Sequence, residues 1–247
     1  MPSTPTIDLN ADLGEQAGDD AALLAIVTSA NIACGAHAGN AQVAAQTAAL
    51  ARARGVAIGA HPGHPDRRHF GRRPHPIDPD RLTRLLAGQL AVLRDAGVPV
   101  RYLKLHGALY HQVADTPPLA AATVAIAAQA QLAILGPPGS VLLSQAQAAG
   151  VAAIAEGFVD RAYRLVGGRP QLVPRGAAGA LLGHDAAVAQ AVQLATTGSV
   201  ATPGGQRLVI GAASLCLHGD TPGAVALARD VRAALEAAGV KLQAFAR

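Results

Sequence analysis

Seven times along this chain of 247 residues, a short apolar run ends in a cluster of polar, potentially catalytic residues. The clusters are Asp8-Leu9-Asn10-Ala11-Asp12, Asn31 to His37, His61, Lys104-Leu105-His106-Gly107, Gly139-Ser140, Glu156 to Arg161, and His218-Gly219-Asp220. Most of these runs precede a segment with helical character. Such alternation describes parallel strands joined by right-handed crossovers, which bring every strand's C-terminal end to one face. Barrels and open sheets of the α/β class keep their chemistry on that face. Four strand ends carrying a histidine (His37, His61, His106, His218) are more than packing alone explains.

The expected elements follow from caps and periodicity. The first strand is expected over residues 6–13. Asp19-Asp20 then caps a helix over residues 21–28. A second strand at 31–35 leads to a helix at 40–54, closed by Gly55. The third strand, 56–60, opens onto the longest irregular stretch, His61 to Asp78. A helix at 79–96 ends at Gly97, and strand four covers 100–105. Pro117-Pro118 opens the next helix. Strands five, six and seven are expected at 132–135, 151–155 and 208–217. The irregular stretch Phe158 to Leu181 reads as a loop or small hairpin. A helix starts at Asp185, and Thr221-Pro222 opens the last one, whose first N–H groups suit an anion. No linker or composition break divides the chain, so one α/β domain over residues 1–247 is expected, a parallel barrel or strongly curved sheet of about seven strands.

Composition narrows the function. Apolar residues make up 51% of the chain and aromatics only 2%, so the core must be Ala, Leu, Val and Ile. The formal charge is +4, but nucleic-acid binding brings a basic stripe with stacking aromatics, and aromatics are nearly absent. Arg67, Arg68, Arg72 and Arg73 read either as a receptor for an anionic substrate or acidic surface, or as a solvated basic loop. The distant Cys34 and Cys216 make neither a disulfide framework nor a zinc knuckle. The N-terminal Met1-Pro2-Ser3-Thr4-Pro5 lacks the features of a signal peptide, and Leu119 to Leu135 is too polar and short for a membrane span. A soluble, cytoplasmic protein is expected.

Asp8, Asn10 and Asp12 alternate along the first strand and so share one face. A carboxylate row inside a barrel is costly unless it meets a metal, a cation or a substrate proton. Asp12 lies nearest the strand's C-terminal end. Lys104 and His106 also share a face: the lysine suits charge stabilisation or a structural pair with an aspartate, and the histidine suits proton transfer. His61 ends a strand, whereas His64 reads as an exposed loop residue. Glu156, Asp160 and Arg161 close strand six. Gly136-Pro137-Pro138-Gly139-Ser140 lacks the Gly-Lys-Ser/Thr ending of a phosphate loop.

The strings IDLNADLGE, SANIACGAHAGN, GVAIGAHPGHPD with FGRR, KLHGALY, DRAY with LVPR, and CLHGD resemble the LamB/YcsF family, whose members serve as the A subunit of the prokaryotic 5-oxoprolinase. The match runs from Ile7 to the last helix. The resemblance implies a (β/α) barrel of polysaccharide-deacetylase-like type. It also implies ATP-dependent opening of the 5-oxoproline lactam to glutamate, together with subunits B and C. Carried over by motif, it implicates Asp12, Glu15, His37, His61, Lys104, His106, Asp160, Arg161, His218 and Asp220. Four family strings are altered here, in Gly14-Glu15-Gln16, Gly35-Ala36-His37-Ala38-Gly39-Asn40, His64 and Lys104-Leu105-His106; Asn40 replaces a usual carboxylate.

Asp12, Lys104, His106 and Asp160 are therefore the expected catalytic residues. Asn10, Glu15, Arg161, His218 and Asp220 are expected to bind substrate. With no convincing nucleotide motif, ATP is expected to be bound mainly by the partner subunits. The rival readings are a metal-dependent amide or ester hydrolase, with Asp12, His37 and His61 holding a divalent ion that activates water, and a scaffold subunit with a vestigial site.

Overall fold

The computed structural model describes residues 5–246; the Met1-Pro2-Ser3-Thr4 stretch read above for a targeting signal lies outside them. The strands are β1 (Thr6–Leu13), β2 (Ser29–Ala33), β3 (Ala57–His61), β4 (Tyr102–Leu103), β5 (Ala133–Gly136), β6 (Ala153–Phe158), β7 (Tyr163–Val166), β8 (Arg169–Leu172), β9 (Ser199–Ala201), β10 (Arg207–Val209), β11 (Ser214–Leu217) and β12 (Lys241–Leu242). The helices are α1 (Asp20–Leu23), α2 (Ala41–Ala53), α3 (Pro79–Asp95), α4 (Gly107–Ala114), α5 (Pro117–Gln129), α6 (Val141–Ala148), α7 (His184–Thr197) and α8 (Ala224–Ala237). Parallel strands follow the order β11-β6-β5-β4-β3-β2-β1, and β11 pairs back with β1, so seven strands close a barrel. β12 adds two residues alongside the start of β1.

The outer helices present an apolar stripe to the barrel. Leu82, Leu86 and Leu93 of α3, and Ala228, Val231 and Leu235 of α8, recur three, four or seven residues apart and are fully buried, the spacing of a core-facing stripe. Alanine in α2 (Ala44, Ala48, Ala51) lets its backbone approach the sheet closely. Caps fix the starts: Asn40 and Asp78 accept from the N–H groups of Val43 and Arg81, which satisfies orphan donors. Asn40 thus performs at this position the helix-capping task that an aspartate also performs.

The barrel interior is polar from bottom to top. Thr28 and Ser29 hydroxyls each donate to Asp8 Oδ1 at 2.6 Å, and Ser214 donates to its other oxygen. Asn10 donates to Ser214 Oγ at 2.7 Å. Asn31 donates to Asn10 Oδ1 at 2.7 Å and to Asp12 Oδ1 at 2.8 Å, and accepts from the Tyr102 hydroxyl at 2.7 Å. The Tyr102 ring crosses the lumen over Gly59, where an added Cβ would lie 2.1 Å from it. Only glycine admits that crossing.

Several elements depart from expectation. The helix expected over 21–28 stops after one turn, because Thr28 is committed to β1: its N–H donates to Leu9 O at 2.8 Å and its hydroxyl to Asp8. The strand expected over 208–217 is two elements. Gly211, at φ 63°, separates β10, which pairs with β9, from the barrel strand β11. β4 has a ladder of only two residues, although Lys104 and His106 still donate backbone bonds toward Ala60 and Pro62. The Phe158 to Leu181 region contains the β7–β8 hairpin. The last helix starts at Ala224 behind Gly223, later than Thr221-Pro222. No helix among the described residues is long and apolar enough to cross a membrane.

Candidate active site

The C-terminal ends of the barrel strands open into a cavity of about 430 Å³ whose lining includes Asp12, His61, Lys104, His106, Arg161 and His218. At its floor, Lys104 Nζ lies 2.8 Å from Asp12 Oδ1 and 2.9 Å from Glu156 Oε1. It also reaches Cys216 Sγ at 3.0 Å and Asn10 Oδ1 at 3.3 Å. Burial favours the neutral amine, but Asp12, Cys216 and Glu156 outweigh it and hold Lys104 well above its ordinary value. Burial likewise pushes the Asp12 carboxyl up, yet the facing His61 and Lys104 bring it well below the usual carboxylate range. The pair is therefore ionic. Glu156 is fully buried on β6, and apart from the lysine's charge neither of its oxygens has a well-aligned hydrogen bond among the described residues.

Above this pair stand three histidines. His61 Nδ1 donates to the Lys104 carbonyl at 2.9 Å, and His106 Nε2 to the Phe70 carbonyl at 2.8 Å. The remaining ring nitrogens face each other, with His106 Nδ1 3.0 Å from His61 Nε2. Two ring nitrogens at that distance are bridged by a shared proton or by a metal ion. Asp12 Oδ2 lies 3.3 Å from His61 Nε2. Asp12, His61 and His106 offer donor atoms within 4.8 Å of one another, and carbonyl-oriented imidazoles with a carboxylate are a donor set that divalent transition metals accept. These residues fit a metal.

His37 stands outside that trio. Its ring stacks on His106 with centroids 3.8 Å apart, and its Nε2 meets Glu15 Oε1 at 2.9 Å. The structure groups His106 rather than His37 with Asp12 and His61, while His37 joins Glu15 and His106 in a second cluster of possible ligands. Burial and the neighbouring His61 lower His37 to about 3, while burial and the Asp12 and Asp220 charges push Glu15 well up. The pair is consequently a neutral hydrogen bond, despite its salt-bridge distance. Gly63 and Gly71 wall the stack closely: a Cβ on either would lie 2.9 Å from His37.

His218 Nδ1 meets Asp160 Oδ2 at 2.7 Å, which leaves Nε2 free to face the cavity. Burial raises the Asp160 carboxyl, but His218, Arg175 and Arg161 bring it below its ordinary value. Arg161 donates to the Val173 carbonyl at 2.6 Å and fastens the chain that follows β8.

Of the residues singled out in the sequence, Asp12, His61, Lys104, His106, Arg161 and His218 reach the cavity wall, and Asp160 stands directly behind His218. Asn10 and Glu15 stand behind the wall, engaged by Ser214 and by His37. Asp220 is held by Arg72 at 2.5 Å, so it neutralises an arginine of the cavity wall from outside it. His64 is buried and meets Gln112 at 2.6 Å, contrary to its reading as an exposed loop residue. The basic loop is also less free than a solvated loop: Arg67 donates to the Gly35 and Gly39 carbonyls. From sequence Glu156 reads as a strand end; its alternation with Phe158 on β6 is the signal that it faces the barrel interior.

The LamB/YcsF family model matches residues 7–247. The chain belongs to this family. A Nocardia farcinica protein named as the A subunit of 5-oxoprolinase is 51% identical over 97% of this chain and 99% of its own length. A protein of the same name from Methylococcus capsulatus is 47% identical over 97% of this chain and 96% of its own. The crystal structure of a lactam utilization protein from Thermus thermophilus superposes with a TM-score of 0.85 at 36% identity, covering 97% of this chain and 100% of that one.

Proposed function

We propose that this chain is the lactam-handling A subunit of an ATP-dependent 5-oxoprolinase, opening 5-oxoproline to L-glutamate together with subunits B and C. The buried Asp12–Lys104 ion pair beneath facing imidazoles, in a small arginine-walled cavity, carries the reading. Full-length relatives that bear the 5-oxoprolinase name support it.

A lactam carbon is a poor electrophile. Phosphoryl transfer from ATP to the amide oxygen activates it; one water then opens the ring, the ring nitrogen takes a proton as its C–N bond breaks, and a second water releases phosphate. No phosphate loop marks this sequence, so ATP is assigned chiefly to the partner subunits. The chain's own residues supply the rest. Ionised Asp12 accepts a hydrogen bond from the attacking water. The adjoining His61 and His106 form a two-imidazole relay for its proton. Lys104 stays cationic and offsets negative charge developing on the oxygen. His218, oriented by Asp160, presents Nε2 to the leaving nitrogen.

Turnover of 5-oxoproline with ATP, measured for each of the three subunits separately and for all three together, tests the reading. Activity only in the full mixture is expected; robust turnover by this chain without partners sinks the three-subunit reading.

The Asp12, His61 and His106 donor set favours a second reading, a metal-dependent amide hydrolase. A divalent ion held there would polarise a carbonyl or acidify a water. Elemental analysis of protein purified without chelator, wild type beside His61→Ala and His106→Ala, decides it: a stoichiometric metal lost in both variants supports the second reading.

A further inference from the structure

The active-site cavity carries more positive charge than its acidic residues answer. Arg72, Arg161, Arg164 and Arg175 all contribute to its lining. Among the described residues around the cavity, Arg72 pairs with Asp220 and Lys104 with Asp12 and Glu156, while His218 and His61 lie against Asp160 and Asp12. Arg161, Arg164 and Arg175 take part in none of these pairs. Arg161 is buried and spends its guanidinium on carbonyls, donating to Val173 O at 2.6 Å and Ala180 O at 3.4 Å. Those carbonyls bracket a turn closed by Ala177 N–H on Pro174 O at 2.8 Å. Arg175 sits in that turn, directly after Pro174.

We infer that Arg175, in a turn fastened by Arg161, is the anchor for the ligand's carboxylate and the residue that selects an acidic lactam over a neutral one. The inference rests on the lactam reading above and assigns the charged end of that substrate. Arg161 is the positioning residue. Burial and the nearby Arg175 already pull the Arg161 guanidinium below its ordinary value, so the two cations repel until an anion lies between them. Asp160 offsets one of the charges but is itself engaged by His218. A planar fork with no partner among the described residues suits a carboxylate, which it can grip with two parallel bonds.

The test uses the reconstituted complex with wild type, Arg175→Ala and Arg175→Lys. Binding of 5-oxoproline, of uncharged 2-pyrrolidinone and of inorganic phosphate is measured by calorimetry, together with steady-state kinetics. Arg175→Ala should weaken 5-oxoproline binding roughly ten- to a hundredfold, the range of one charge-assisted bond. It should raise KM while sparing kcat, because the carboxylate is held equally before and during reaction. Arg175→Lys should restore part of the loss, and 2-pyrrolidinone should bind all three alike. Unchanged 5-oxoproline affinity in Arg175→Ala, with the wild type active, overturns the inference and leaves the function standing. A wild type that ignores 5-oxoproline but binds phosphate through Arg175 overturns both the lactam reading and the carboxylate assignment.

Discussion

Lys104 is shared between two buried carboxylates, Asp12 at 2.8 Å and Glu156 at 2.9 Å. One ammonium therefore holds together β1, β4's C-terminal extension and β6, and it does so beneath the candidate active-site cavity. Removing it strands two acids away from water. Lys104→Met should lower stability by about 3–5 kcal/mol, the usual cost of breaking a buried pair from one side. Adding Glu156→Gln should recover part of that loss. Urea denaturation measures both; an unchanged midpoint in Lys104→Met would show that the pair adds nothing.

Asp12→Asn and His106→Ala should each reduce kcat in the reconstituted complex by about a hundredfold to ten-thousandfold, the range for a lost general acid or base. Complex assembly should be retained. The thermal midpoint must accompany the rate, because Asp12→Asn leaves Lys104 with Glu156 as its remaining carboxylate. Near-normal rates in both variants, at normal stoichiometry, would place the catalytic centre elsewhere.

Asp160→Asn should free the His218 ring and lower kcat/KM roughly tenfold, since the lost bond is charge-assisted. The same pair gives a pH signature. The Asp160 carboxyl is held below its ordinary value, so its stabilisation is fully present above the unfolded carboxylate range, near pH 4. It is lost as pH falls from there through the folded value. Wild type and Asp160→Asn should differ in stability at pH 7 and draw together toward pH 3. A constant difference across that range contradicts the assignment.

His37 acts in the opposite sense to a stabilising histidine pair. Its folded-state value is about 3, lowered by burial and His61, while the unfolded chain protonates near pH 6.5. Stability therefore declines as pH falls from about 6.5 toward 3, with His37 contributing at most about 1.4 kcal/mol per pH unit. His37→Gln should flatten the stability profile by roughly that slope between pH 6 and 4. A profile with unchanged slope would mean that His37 is charged in the folded protein.

How much was legible in the sequence follows from which signals are local. Helix starts were readable because caps are written in adjacent residues: Asn40, Asp78 and Pro117 each open a helix where expected. The seven-strand alternation and the convergence of Asp12, His61, Lys104, His106 and His218 also followed from strand-end positions. Partner choice was not readable. Nothing near His37 announces that it prefers Glu15 to the Asp12 cluster, because that depends on Gly63 and Gly71 pressing the His37–His106 stack together. Nothing near His64 announces Gln112 on α4, a helix with no expected counterpart. Thr28 read as the end of a helix because its bonds to β1 cross 19 or 20 residues of chain.

The hydrogen bond from Ser214 to Asp8 spans 206 residues, and Asn10 reaches the same serine across 204. A chain made from its N-terminus exposes the β1 polar ladder early, and the ladder's side chains meet Ser214 only when β11 has been made. Until then, one side of β1 lacks its neighbour, and Asp8 has Thr28 and Ser29 as donors but lacks Ser214. Early helices and strands can assemble meanwhile, as N-terminal segments commonly do, but the barrel cannot close around its hydrophilic axis. Completion of the active site is thereby tied to completion of synthesis: a truncated product lacking β11 has neither a sealed barrel nor Cys216 and His218, and it cannot form a partly working enzyme.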